Sequence, residues 1–265
     1  MTLTDWLTPD WPAPAGVQAI FTTRHRGGSA APWDGMNLGD HVGDVPQHVA
    51  ANRAALQRAI GSRPVFLKQV HGVGVEPLSS TTPDGTMADA CVTIQRRVAC
   101  TIMVADCLPV LLTNTSGTAV AAAHAGWRGL AGTGGKGVLE AVFGAFQALN
   151  PPPDQSKQAQ AAPEIVAWLG PCIGSTAFEV GPEVKVAFEI SQPHSGEFFV
   201  ATGQGKYLAD LAGLARARLN AVGVMQVYGN DGTADWCTVG NPSRFFSHRR
   251  DAGATGRMAA CIWLS

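Results

Sequence analysis

A cysteine and two histidines in this chain stand at the ends of apolar runs, and together they make a donor set for a metal ion. His71 follows VFLKQV, Cys107 follows ACTIMVAD and His124 follows TAVAAA. Each lies beside a small residue or a turn, where a rigid strand end fixes a side chain. Two imidazoles and a thiolate suit Zn²⁺, and three protein ligands leave a fourth position open for water or substrate, the catalytic pattern. The same residues admit two other chemistries. Cys107 with His124 as base, oriented by Asp106 or Asn37, would serve a hydrolase or acyl transferase. A His₂Cys set also holds copper. Seven histidines with no His-x-His pair nevertheless weigh against a multicopper centre. The bland reading is a buried structural cysteine and two satisfied histidines.

Other residues are candidates for substrate. Arg128 in AGWRG and the Arg249-Arg250 pair in SHRRD are anion clamps, because a guanidinium binds phosphate bidentately. Ordinary ion pairing, with Asp251 nearest, is the competing use of the pair. Cys172 in GPCIG is a thiol in a tight turn, equally a site residue or a packing cysteine. Lys68 and Gln69 point to opposite faces of a regular strand, so one of them faces a pocket. Glu179 is placed to bind a ribose hydroxyl or to serve as an acid at a helix N-terminus. Trp127 is a pocket wall or a core residue. Cys91, Cys100, Cys237 and Cys261 sit in apolar surroundings and read as core.

The elements that position these residues centre on Cys100 to Gly129. Ala99 to Val104 and Val110 to Thr113 read as buried strand. Ser116-Gly117 supplies a turn, and Thr118 to Ala123 returns as a second strand, which brings Cys107 and His124 together. Ala125 to Gly129 reads as a glycine-flanked cationic loop. Upstream, Val17 to Thr22 is a strand and Gly35 to Asp44 a polar turn. A helix follows over Val45 to Ile60, with Asp44 as its cap and Asn52 interrupting its apolar face. Val65 to Val70, Val73 to Leu78 and Ala88 to Ile94 read as strands. Downstream, a helix over Lys136 to Leu149 presents free N–H groups to an anion. Asn150 to Pro163 is a Pro/Gln/Ala-rich surface loop. Then come a strand at Ile165 to Leu169, a helix over Pro182 to Ile190, and a loop over His194 to Gly205. A helix over Tyr207 to Ala221 and strands at Met225 to Tyr228 and Met258 to Trp263 complete the chain. Irregular alternation of strands and helices predicts one domain over residues 1–265, an α/β fold with a mixed sheet.

Composition narrows the function. A length of 265 residues supplies a substantial core, and a net charge of −1 points to no nucleic-acid groove. No apolar run spans a bilayer, and the N-terminal MTLTDWLTPDWP lacks the basic and apolar parts of a signal peptide. Six cysteines without a CxxC pair predict reduced thiols in the cytoplasm. No GxGxxG or Walker sequence offers a dinucleotide or nucleotide site. Monomer and homodimer both remain open.

Five blocks together carry a family resemblance: KQVHG (68–72), ADCLP (105–109), AHAGWRG (123–129), GPCIG (170–174), and FFSHRRD with TGRMA (245–251 and 255–259). NLGDHVGD (37–44) adds a sixth. The chain resembles the YfiH-like family, earlier described as laccase-domain or multicopper polyphenol oxidoreductase proteins. The resemblance implies an α/β sandwich shared with putative cysteine hydrolases. It also implies a purine nucleoside phosphorylase using inorganic phosphate on adenosine, inosine, guanosine and S-methyl-5′-thioadenosine, with adenosine deaminase activity. It assigns zinc to His71, Cys107 and His124. Some relatives are implicated in peptidoglycan editing of UDP-muramoyl precursors, so an amidase acting through Cys107 and His124 is the alternative. A copper-dependent polyphenol oxidase is a further one. Phe246 and Phe178 stand where a Tyr is common, which removes hydroxyl hydrogen bonds and leaves the metal ligands intact.

Overall fold

The computed structural model describes residues 5–149 and 164–265. The insert expected as a surface loop at 150–163 lies outside the described residues. In chain order the elements begin with β1 (Val17–Phe21), α1 (Pro46–Ile60), β2 (Arg63–Phe66), β3 (Val75–Pro77) and β4 (Ala90–Thr93). Next come β5 (Val98–Val104), β6 (Leu108–Asn114), β7 (Val120–Ala125), α2 (Trp127–Ala131) and α3 (Val138–Leu149). The last group is β8 (Ile165–Leu169), β9 (Glu179–Val180), α4 (Pro182–Glu189), β10 (Phe199–Gly203), β11 (Lys206–Ala209), α5 (Leu211–Ala221), β12 (Gln226–Gly229) and β13 (Met258–Leu264).

Two mixed sheets pack face to face between helices, so the expected α/β sandwich is the observed fold. One sheet has four strands in the order β1-β13-β5-β2, the other six in the order β12-β8-β6-β7-β4-β3. A small antiparallel sheet, β10-β11-β9, stands apart. Strand alternation explains the layering. On β5, Cys100 and Ile102 face the space between the sheets, while Ala99 and Met103 face α1 through Leu56 and Ile60. On β6 and β7, Leu111, Val120 and Ala122 face the first sheet. Leu112, Ala121 and Ala123 face Leu139, Val142 and Phe146 of α3 and Leu214 of α5. Four of the six residues of β7, VAAAHA, are alanines, and the whole strand is buried. No helix among the described residues is long and apolar enough to cross a membrane.

The expected hairpin forms between β6 and β7, with Leu108 opposite Ala125 and Pro109 opposite His124. The run before it belongs elsewhere: β5 pairs with β13 and β2 in the other sheet. The chain therefore crosses from one sheet to the other over Ala105-Asp106-Cys107.

Several boundaries differ from the sequence reading for identifiable reasons. The strand expected over Val65 to Val70 ends at Phe66. Beyond it the side-chain amide of Gln69 takes the place of backbone, donating to Met103 O and accepting from Met103 N at 2.8 Å each. Val75–Pro77 does not continue β2 but joins the six-stranded sheet. Asp44 does not cap α1, which begins with Pro46 and has no side-chain cap. Asp44 instead accepts from Ser29 Oγ (2.6 Å) and Asn37 Nδ2 (2.8 Å). Asn52 interrupts the face of α1 because it is buried and donates to Ser29 Oγ and to the backbone oxygens of Gly35 and Asn37. The loop expected at 194–205 contains β10, and the helix expected from Tyr207 starts at Leu211. Tyr207 and Leu208 pair with β9, and Asp210 caps α5 by accepting from Gly213 N at 2.9 Å. At the α3 N-terminus, where an anion was expected, Glu140 accepts from Gly137 N at 2.8 Å and takes up one of the N–H groups.

Candidate active site

Cys107, His124 and His71 reach one point from three different elements. Cys107 ends the crossing between the sheets, and His124 projects from β7 on the face toward the first sheet. His71 sits on the loop between β2 and β3. Their donor atoms all lie within 4.8 Å of one another, with Cys107 Sγ 3.7 Å from His71 Nε2. The imidazole rings of His71 and His124 meet edge to face at 4.7 Å. Among the described residues this is the only group of three or more His, Cys, Asp or Glu side chains placed to hold a metal ion.

Asp89, which falls within the strand expected over Ala88 to Ile94, organises this group. Its carboxylate is fully buried and accepts four hydrogen bonds. The N–H groups of Val70 (3.2 Å), His71 (2.8 Å) and Gly72 (2.7 Å) donate to it, and so does Nδ1 of His124 (2.9 Å). Those backbone bonds hold His71 at φ 61, a left-handed conformation uncommon outside glycine. The bond to Nδ1 fixes the tautomer of His124 and turns Nε2 toward Cys107, the outer-shell arrangement of a histidine ligand. Burial alone would raise the Asp89 carboxyl, but the hydrogen bonds from His124 and Gly72 outweigh it and hold it below the usual range.

Electrostatics make Cys107 a thiolate. Burial pushes its thiol up, yet the charge of His124 and hydrogen bonds from His124 and His71 prevail and bring it down to about 6. Burial likewise opposes a charged His124, but the Cys107 thiolate and Asp89 raise it to about 9. Two imidazoles and a thiolate, one imidazole braced by a buried carboxylate, fit a zinc ion by donor type. The group that orients His124 is thus Asp89, not the Asp106 or Asn37 that the sequence offered.

Glycines make the convergence possible at two points. A Cβ on Gly126 would lie 2.8 Å from His71 Cδ2 and 3.0 Å from Cys107 Sγ, and one on Gly129 only 2.6 Å from Gly72 O. The Gly126 backbone, φ −68 and ψ 156, is open to any residue, so the requirement is steric. Gly126→Ala is therefore expected to fold normally by circular dichroism and to bind zinc about 10–100-fold more weakly in a chelator competition, as if an outer-shell partner were lost.

The group lies in a cavity of about 350 Å³. Of the residues singled out from sequence, Gln69, His71, Asp106, Cys107, His124 and Arg249 line it, and so does Trp127. Asp106 has both carboxylate oxygens engaged, Oδ1 by Thr238 Oγ1 and Oδ2 by Arg249 N, at 2.6 Å each. Those bonds secure the sheet crossing, where Asp106 takes φ 89.

The remaining candidates lie elsewhere. Lys68 is exposed and forms a backbone bridge with Met87. Arg128 belongs to α2, not to a loop, and stacks on its neighbour Trp127 at 4.4 Å. Arg250 is spent on Asp251, Thr238 O and Phe245 O. Glu179 pairs with Lys206 at 2.7 Å. Cys172 is buried behind Asn230, whose Nδ2 lies 3.4 Å from its sulfur. Asn37 is wholly buried and accepts from the backbone N–H of Gly39 and Arg257, both at 2.9 Å. The sequence reading passed over His248 and Arg257 as cavity residues, and over His41 within the polar turn from Gly35 to Asp44. Arg257 carried no signal beyond its place in TGRMA.

Comparisons with known proteins place the chain in a family. A family model described as multi-copper polyphenol oxidoreductase laccase matches residues 18–265. The chain is 47% identical over 260 residues to a Pseudomonas aeruginosa protein named purine nucleoside phosphorylase, covering 98% of each. It is 46% identical over 260 residues to the Escherichia coli purine nucleoside phosphorylase YfiH, covering 97% of this chain and 98% of the relative. A crystal structure of a Neisseria meningitidis protein superposes with a TM-score of 0.86 at 45% identity, covering 98% of this chain and 99% of that one. YlmD from Geobacillus stearothermophilus gives 0.80 at 31% identity, covering 94% and 92%.

Proposed function

Because this chain belongs to the multi-copper polyphenol oxidoreductase laccase family, which the YfiH proteins share, we propose that it is a zinc-dependent purine nucleoside phosphorylase. The observation that carries the reading is the convergence of His71, Cys107 and His124, braced by Asp89, inside a cavity that also holds cationic and aromatic side chains. Its substrates are adenosine, inosine, guanosine and S-methyl-5′-thioadenosine with inorganic phosphate. Three side chains leave room at such an ion for one exogenous ligand, and zinc there supplies Lewis-acid chemistry.

In phosphorolysis a phosphate oxygen bonds to the anomeric carbon as the carbon–nitrogen bond to the purine breaks. The bonding pair leaves on the purine nitrogen, and a proton neutralises the departing base. The transition state resembles an oxocarbenium ion, so a positioned anion beside the sugar lowers its energy. Arg249 holds the phosphate, and Trp127 and Phe178 offer apolar walls to the base. Gln69 keeps the His71 loop tied to β5 through Met103. Deamination of adenosine in the same cavity adds water at C6 and expels ammonia.

Purified enzyme with adenosine, with and without phosphate, tests the reading. Adenine and ribose 1-phosphate are expected only with phosphate, and inosine in both tubes. Metal analysis is expected to give about one zinc per chain. Copper at that stoichiometry together with diphenol oxidation would replace this reading with an oxidase.

A second reading is supported by the Cys107–His124–Asp89 alignment, which has the order of nucleophile, base and orienting acid. It makes the protein an amidase on UDP-muramoyl precursors. Turnover of that substrate by metal-stripped enzyme, with none of nucleosides by the metal-loaded form, would favour it. Six free cysteines accord with a reducing, cytoplasmic setting for either activity.

A further inference from the structure

The cavity holds two arginines with no carboxylate partner. Among the described residues neither Arg249 nor Arg257 forms an ion pair, whereas Arg250 beside them is neutralised by Asp251. Asp106, the acid of the cavity wall, accepts from Thr238 Oγ1 and the Arg249 N–H and pairs with neither guanidinium. Arg257 is half-buried and spends only Nη1, on the carbonyls of Thr255 and Gly256 (3.2 and 3.0 Å). Its Nε and Nη2 have no protein acceptor among the described residues. Both nitrogens keep access to solvent, so they are free to donate to an anion in the cavity.

The position of Arg257 is built. Its N–H donates to the buried Asn37 Oδ1 at 2.9 Å, and its carbonyl accepts from Leu38 N at 3.0 Å. Asn37 is in turn held by Asp44. Gly39 leaves the space its side chain occupies, since a Cβ there would lie 2.7 Å from Arg257 Cγ. The same turn delivers His41 to the cavity, tethered to Asp40, which also binds Arg53. Arg257, His41, Asp106 and Cys107 all line the same cavity. His248 lies on the same wall. The NLGDHVGD block, with no role in the metal group, thus has one here.

We infer that Arg257, held by the Asn37–Gly39 turn and joined by Arg249, His41 and His248, forms a subsite for a tetrahedral oxyanion, inorganic phosphate, beside the His71–Cys107–His124 group. As the attacking nucleophile's berth it rests on the phosphorolysis reading. As an anion site it stands on the unpaired guanidinium.

The test uses metal-loaded enzyme and inorganic phosphate. Arg257→Gln is expected to raise the KM for phosphate on the order of tenfold or more, the loss of one charge-assisted hydrogen bond or two, while the KM for inosine stays within about twofold. Arg257→Lys is expected to recover part of that loss, and His41→Gln, at an exposed position, to shift the phosphate KM less in the same direction. Calorimetric titration with phosphate alone is expected to weaken in the same order. Unchanged phosphate KM and unchanged phosphate binding in Arg257→Gln would overturn the subsite and leave phosphorolysis standing. Phosphate binding that depends on Arg257 in an enzyme without nucleoside turnover would keep the subsite and overturn phosphorolysis. Absence of both from the wild type would overturn both. If Arg257→Gln fails to fold, unchanged phosphate KM in Arg257→Lys and His41→Gln decides against the subsite.

Discussion

Cys107→Ala protein is expected to fold, to purify without zinc and to lose both phosphorolysis and deamination. The loss should exceed about 100-fold, more than the 10–100-fold that follows loss of an outer-shell partner, because the thiolate itself donates to the ion. Folding should survive because the Cys107 side chain serves the cavity more than the core. It is half-buried, while its neighbours Leu108 and Val110 are fully buried. Metal analysis and turnover on the same preparation decide the matter. Full activity in metal-free Cys107→Ala protein would remove the metal and the thiolate from the mechanism together.

Asp89→Asn should have a different signature, losing stability and metal together. The carboxylate accepts from three consecutive backbone N–H groups and one imidazole while shut away from water. An amide presents one acceptor oxygen where two are used, and leaves buried donors unsatisfied. The expected cost is about 3 kcal/mol in urea unfolding, the scale for breaking a buried charge pair, with zinc affinity reduced about 10–100-fold.

The same charges set the pH response of metal-stripped protein. The Asp89 pKa is lowered by folding, so its stabilisation is present above the ordinary carboxylate range and is lost as pH falls through the folded value. Cys107, lowered to about 6, likewise loses its contribution as pH falls toward 6. His124, raised to about 9, loses its contribution as pH rises through 9. The opposed slopes of Cys107 and His124 cancel between those limits. A profile nearly flat between about pH 6 and about pH 9, with a fall only below the ordinary carboxylate range as Asp89 is protonated, is the expected result of urea unfolding across pH. In Asp89→Asn that acid fall should disappear with the carboxylate. A wild-type profile as flat at acid pH as that of Asp89→Asn would mean that folding does not lower the Asp89 carboxyl.

Much of the site was legible because its parts are marked locally. An apolar run that stops at a cysteine or histidine identifies a strand end, and the Ser116-Gly117 turn joins two such ends in one hairpin. His71 was recoverable by the same rule even though its strand stops five residues earlier, at Phe66. Asp89, Arg257 and His248 were not legible as site residues. Asp89 acts through N–H groups that belong to residues 70–72, and such bonds leave no imprint on side-chain pattern. Arg257 is defined by a buried asparagine more than two hundred residues earlier. Asp106 looked reactive for its company, and its actual bonds became visible only with Thr238 and Arg249 in place. The fold class followed from alternating strands and helices, but the switch of sheets between β5 and β6 did not. Both runs are equally apolar, because each is covered on two faces.

The alanines of β7 have a reach beyond packing. Between them they set how closely the six-stranded sheet approaches its neighbour, because Ala122 meets the other layer on the same face from which His124 projects two residues on. That spacing is a ruler, and the ion-binding group is read off its end. A bulkier residue at Ala122 would pry the layers apart near the hairpin and carry the imidazole away from its partners, although no atom of the cavity had been altered. Selection for catalysis would then act on core volume as strictly as on the ligands themselves.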